Sequence, residues 1–132
     1  MASRLIDEVV RFTNVAGTEQ KIYKVPTGEV AIVHKLAVVN TDDILNARVN
    51  VWVSPSGGAV PAPGDVDHFV NDQTVGAKET FLTPASGRVL PSGATIYADV
   101  DDGAGGNFQN KVNLTLSATL ITQSRAGTGT TA

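Results

Sequence analysis

The side chains suited to chemistry are few. The sequence has two histidines, His34 and His68, 13 aspartates and glutamates, and no cysteine. The missing cysteines exclude disulfides, thiolate metal sites and cysteine nucleophiles. His34 stands in an apolar run, on the register of Ile32 and Leu36. That position predicts a buried or interface histidine with one backbone partner, because a metal ligand there would need carboxylate company. His68 closes Asp65-Val66-Asp67-His68. Two carboxylates and an imidazole this close could touch a metal, and the same spacing suits a solvated turn. Asp99, Asp101 and Asp102 precede Gly103. They lack the alternating oxygen ligands and closing glutamate of a calcium loop, so an acidic turn at a strand end is expected, with calcium at a subunit interface as the alternative. Gly103-Ala104-Gly105-Gly106 lacks the Lys-Ser/Thr of a phosphate loop and reads as a hairpin loop. Ser54, Ser56, Ser86 and Ser92 sit among prolines and glycines with no nucleophile-elbow pattern. Asn113-Leu114-Thr115 is a formal glycosylation sequon inside an apparent strand. No catalytic residue, metal ligand or cofactor is predicted, and the expected protein is not an enzyme.

The elements that carry these residues are strands. Val112, Leu114, Leu116, Ala118 and Leu120 alternate with polar residues, the period of a half-buried strand. Val49, Val51 and Val53 alternate with Arg48, Asn50 and Trp52; Ile96, Ala98 and Val100 alternate with Thr95, Tyr97 and Asp99. Residues 29–40 are apolar on both registers, which suits a central strand covered on both sides or one that changes sheets midway. Weaker strands are expected at 5–13, 20–25, 67–70 and 79–82. One helical turn is expected near 42–45. The 13 glycines and 6 prolines punctuate these runs. About eight strands with regular turns predict an all-β fold, an antiparallel, jelly-roll-like β-sandwich with minimal helix.

Charge and composition narrow the function classes. With 132 residues, 42% hydrophobic and 17% charged, the chain is globular and of one-domain length. Its net charge is −3. Residues 54–103 hold two basic and seven acidic groups, and residues 104–132 hold two basic groups and no acid. This is not the clustered Lys/Arg footprint of a nucleic-acid binder. No apolar run approaches a membrane span. Residues 1–7 lack the basic start and apolar core of a signal peptide, which predicts synthesis in the cytoplasm. Lacking cysteine would suit an extracellular life equally.

Two segments have no apparent core to join: the Pro/Gly-rich residues 54–66 and the polar tail 124–132. Long structureless connections in small domains are commonly functional. Trp52 falls on the register opposite the valines of its strand. It reads either as the second face of that strand or as an exposed interface anchor.

The segment Tyr23-Lys24-Val25-Pro26-Thr27-Gly28 leads into an apolar strand ending Val38-Val39-Asn40-Thr41. Leu90-Pro91-Ser92-Gly93-Ala94-Thr95-Ile96 repeats the turn-then-strand form. Together they resemble a pattern of small β-sandwich structural proteins of tailed-bacteriophage virions. The resemblance implies a virion protein with no catalytic residues: a capsid decoration (cement) subunit, often trimeric, or a tail, fibre or baseplate component. It implies the major capsid protein or other virion subunits as partners, a homotrimer on the capsid surface, and no nucleic acid or membrane. Extended termini suit such a role, since they wrap neighbours or add strands to sheet edges. The expected partner-contacting residues are Ala2, Ser3 and Arg4 in the N-terminal arm (1–8), Trp52, Pro61 and Pro63 beside and in the loop (54–66), and Arg125, Thr128 and Thr130 in the tail (124–132). A carbohydrate-binding sandwich is the alternative from another class. It would group exposed aromatics, and Trp52, Tyr23 and Tyr97 are the available ones.

Overall fold

The computed structural model describes residues 2–14, 18–54, 67–103, 106, 108 and 110–123, with the backbone alone at 67 and 68. Among them no helix forms, and nine strands make two antiparallel sheets. One sheet has the order β1 (Ser3–Arg11), β9 (Val112–Thr122), β3 (Glu29–Asn40), β6 (Thr80–Leu82), with β7 (Val89–Leu90) also on β3. The other has the order β2 (Gln20–Lys24), β8 (Thr95–Asp101), β4 (Ala47–Ser54), β5 (Asp67–Val75). The pairs β1·β9, β2·β8, β3·β6/β7 and β4·β5 are nested. A chain paired in this way is one long hairpin with its tip between β4 and β5. Winding it up adds the β3·β9 and β4·β8 ladders, which is a jelly roll. β7 is the strand that the sequence pattern missed, being only two residues long.

The core lies between the sheets, where the expected alternation delivers Val49, Val51 and Val53 from β4, Ile96, Ala98 and Val100 from β8, and Leu114, Leu116, Ala118 and Leu120 from β9. Each buried Val, Ile or Leu side chain among them contributes about 1.5–3 kcal/mol. Strand β3 is a central strand, between β9 and β6/β7, and its outer face is apolar as well, carrying Val30, Ile32, Ala37 and Val39. Along it the inward register also changes. The register shifts between Val33 and Lys35, so His34 is the extra residue of a β-bulge. Ala31 and Val33 point into the core before the bulge, and Leu36 and Val38 after it.

The turns named by the family resemblance interlock. Glu29 N–H donates to Pro26 O at 3.1 Å, and Ala94 N–H donates to Pro91 O at 3.1 Å. Gly28 and Gly93 hold φ of 86° and 82°, the third-position geometry of a type II turn that favours glycine. The two turns touch: Gly28 N–H donates to Ser92 Oγ at 2.9 Å, and Gly93 N–H donates to Val25 O at 3.1 Å. At the far end of β3, Asn40 is fully buried. Its Nδ2 donates to Leu45 O at 2.9 Å and Val75 O at 3.0 Å, and its Oδ1 accepts Asp42 N–H at 3.0 Å. It thereby ties a strand of one sheet to a strand of the other. The helical turn expected at 42–45 is not formed. Asp42 Oδ2 accepts the N–H groups of Ile44 and Leu45 at 3.0 and 2.6 Å, an Asx-type turn that competes with helix for the same donors.

Candidate interaction surface

The outer face of the five-stranded sheet is built in rows across the strands. One row runs Leu5, Thr119, Ile32, Val89. Another runs Val9, Thr115, Ala37, Leu82. Between them lies a polar row of Asp7, Ser117 and Lys35, in which the Ser117 hydroxyl donates to Asp7. The bulged His34 is exposed on this face and hydrogen-bonds Thr119 Oγ1 through Nε2 at 2.6 Å. Of the expected buried or interface histidine with a backbone partner, the buried alternative and the backbone partner are corrected: the bulge turns the ring outward, onto a side-chain hydroxyl. Leu5, Val9, Leu82 and Val89 are 75, 68, 62 and 60% exposed. Single exposed apolar residues need no explanation, but four around one face make it the candidate contact surface among the described residues. Ile44 and Leu45, also exposed, form a smaller apolar spot on the β3–β4 connection.

The outer face of the four-stranded sheet differs. Its cross-strand pairs are Arg48 with Asp101, Asn50 with Asp99 and Trp52 with Tyr97. Arg48 holds Asp101 with two bonds, Nε to Oδ1 at 3.2 Å and Nη2 to Oδ2 at 3.0 Å. This hydrogen bonding, and then the carboxylate's charge, pushes the guanidinium's pKa up. Trp52 and Tyr97 stack with ring centroids 6.1 Å apart. Trp52 does lie opposite its valines, yet it is only 2% exposed. The expectation of an exposed anchor is thus corrected, since the indole offers a partner almost no surface. Tyr97 is buried as well, and Tyr23 is half-buried, so these rings form no exposed aromatic platform.

The acidic segment at the end of β8 is already engaged. Asp101 is held by Arg48 and accepts Gly103 N–H at 2.7 Å. Asp102 accepts Gly106 N–H at 2.7 Å. Asp42 accepts from Lys111 Nζ at 2.6 Å. That bond, with the Leu45 and Ile44 N–H groups, brings the Asp42 carboxyl down to about 2 from its ordinary 3.8. Among the described residues no three His, Asp or Glu side chains come together to hold a metal, and no cavity opens. Asp65 and the side chains of Asp67 and His68 lie outside the described residues.

Of the expected contact residues, Ala2, Ser3 and Arg4 are exposed at the start of β1. Ala2 O accepts Thr122 N–H at 2.9 Å, and Ser3 and Arg4 pair with Ile121 and Leu120. Arg4 Nη2 donates to Glu29 Oε1 at 3.1 Å. Pro61, Pro63, Arg125, Thr128 and Thr130 lie outside the described residues, as do the loop 55–66 and the tail 124–132. Sequence reasoning missed Leu5, Val9, Leu82 and Val89. The available signal was in β1, where Leu5 and Val9 fall on one register and Ile6 and Val10 on the other, so both faces of the strand are apolar.

No protein-family model and no curated protein sequence matches the chain. Among solved structures, the chain is similar to one in the acidic stable capsid structure of Helicobacter pylori bacteriophage KHP30. The TM-score is 0.51 at 16% identity, over 94% of this chain and 90% of that one. At that identity the likeness is one of fold. Looser matches occur in structures of infectious bursal disease virus. The Gx strain gives a TM-score of 0.49 at 11% identity, over 91% of this chain and 33% of that one. The Gt strain gives 0.46 at 8% identity, over 95% and 33%.

Proposed function

We propose that the chain is a non-enzymatic structural subunit of a bacteriophage virion and, within that role, a capsid decoration (cement) protein bound to the major capsid lattice. The observation that carries this reading is the near end-to-end likeness of fold to a chain of a phage capsid structure. The exposed apolar rows of the five-stranded sheet supply a docking surface. Many copies on a repeating lattice turn modest contacts into firm attachment through avidity. Attachment reinforces the shell by adding buried interface across its subunit junctions. The start of β1, which takes up the expected arm 1–8, lies on this docking face, and the expected tail, 124–132, would extend the same contact. The trimer that the resemblance implies would suit threefold junctions of such a lattice, whereas a two-fold dimer would suit its twofold junctions.

Gold-labelled antibody raised against the purified chain tests the reading on particles of the phage that encodes it. Label on the heads is the expected result. Label confined to tails or baseplates would move the protein to the tail-component reading. Particles without label would overturn the virion role.

A further inference from the structure

We infer that β1 is a self-recognition edge, through which two copies join their five-stranded sheets by antiparallel β1–β1 pairing about a two-fold axis at Ile6. The inference does not depend on the virion reading.

The four sheet edges are unequal. β2 and β5 are interrupted by register shifts, and β6 and β7 are three and two residues long. All are blunted in the ways that discourage strand addition. β1 runs nine residues against β9 without a shift. Ala2 and Phe12 direct their backbone groups toward the β9 side: Ala2 O accepts from Thr122, and Phe12 N–H donates to Val112 O at 2.8 Å. Backbone direction alternates along a strand. The odd residues Ser3, Leu5, Asp7 and Val9 therefore aim N–H and C=O at the open edge.

Charge selects the register. A two-fold axis at Asp7 or Glu8 sets that carboxylate against its own copy, and like charges directly opposite are destabilising. An axis at Ile6 sets Arg4 opposite the partner's Glu8, twice by symmetry, on either side of an Ile6–Ile6 contact. Ser3 then bonds Val9, and Leu5 bonds Asp7, through the odd-numbered backbone groups. An axis at Val9 would pair Asp7 with Arg11 but engages only 7–11, against 3–9 for the Ile6 register. The inward-pointing Arg4 and Glu8 thus repel a generic strand and match a second copy. The guanidinium has donors enough for both Glu29 and the partner's Glu8.

The tests are light scattering on purified protein and cysteine cross-linking. A wild-type dimer is expected at micromolar concentration. Glu8→Arg should weaken dimerisation at least about tenfold, and Arg4→Glu with Glu8→Arg should restore it, with unchanged circular dichroism as the folding control. The chain has no cysteine, so Ile6→Cys places one thiol on the axis. Directly opposite strand residues lie about 4.5–5.5 Å apart, within disulfide range, so oxidation should give a covalent dimer, whereas Val10→Cys should not. A monomeric or trimeric wild type, a Glu8→Arg dimer of full strength, or cross-linking through Val9→Cys in place of Ile6→Cys would each overturn the inference.

Discussion

Row by row, the outer face of the four-stranded sheet sets Arg48 against Asp101 and Trp52 against Tyr97, while that of the five-stranded sheet sets Leu5 beside Thr119 and Val9 beside Thr115. The first face offers little to a partner: its ion pair is two-pronged, and its two rings stack and are both buried. The second leaves its largest apolar groups in water. Residue type alone would have assigned the roles the other way round, because tryptophan is the side chain most associated with binding hot spots. A tryptophan on the outward register of a strand is therefore no evidence of an interface until its exposure is known. Aliphatic residues of an edge strand, apolar on both registers, are the better marker.

The largest expected effect breaks the comparison if it fails. Trp52→Ala should cost about 3–5 kcal/mol of stability, the usual loss for a buried tryptophan, read as a fall in denaturant midpoint. A change below about 0.5 kcal/mol, typical of surface positions, would mean that Trp52 is available to a partner after all. Next comes the joint between the sheets. Asn40→Ala removes the donor to Val75 O and Leu45 O, and leaving buried polar groups unmade costs about 1–3 kcal/mol. A neutral result would mean that the sheets are held together by apolar packing alone.

The third prediction concerns acid. Asp42's carboxyl is depressed to about 2, so its contribution is complete above the ordinary carboxylate range and is lost as pH falls from about 4 to about 2. Thermal melts between pH 5 and pH 2 should show stability declining across that window. Asp42→Asn should make the decline shallower, since a neutral amide does not titrate. An identical profile for the variant would assign the acid response to other carboxylates.

The sandwich was legible because its inner faces follow strict period-two alternation, as in β9. The bulge in β3 was not, since one inserted residue leaves no compositional trace in a strand that is apolar on both faces. The residues carrying the phage-protein resemblance prove to be structural. Gly28, Ser92 and Gly93 lock two turns together, and Asn40 joins two sheets. A pattern made of such residues specifies a fold and is silent on where in an assembly that fold sits. The open face was hidden for a related reason: Leu82 and Val89 lie in strands too short to show a period, and they meet Val9 and Leu5 only through β3 and β9.

The smallest expected effect sharpens the comparison most. Leu5→Thr with Val9→Thr keeps side chains that fit a strand and removes the two most exposed apolar groups of β1. On a face open to solvent, stability should change by no more than about 0.5 kcal/mol, while binding of a hydrophobic dye should fall. Attachment to phage heads should weaken too, because the same two side chains would be buried there. The β1 edge is spared by design: both positions lie on the outer face, away from the Arg4, Ile6 and Glu8 side chains that set the pairing register. A large loss of stability would show that Leu5 and Val9 are already covered within the free protein. An unchanged dye signal would move the contact surface to the Ile44 and Leu45 spot, where Ile44→Thr is the corresponding variant.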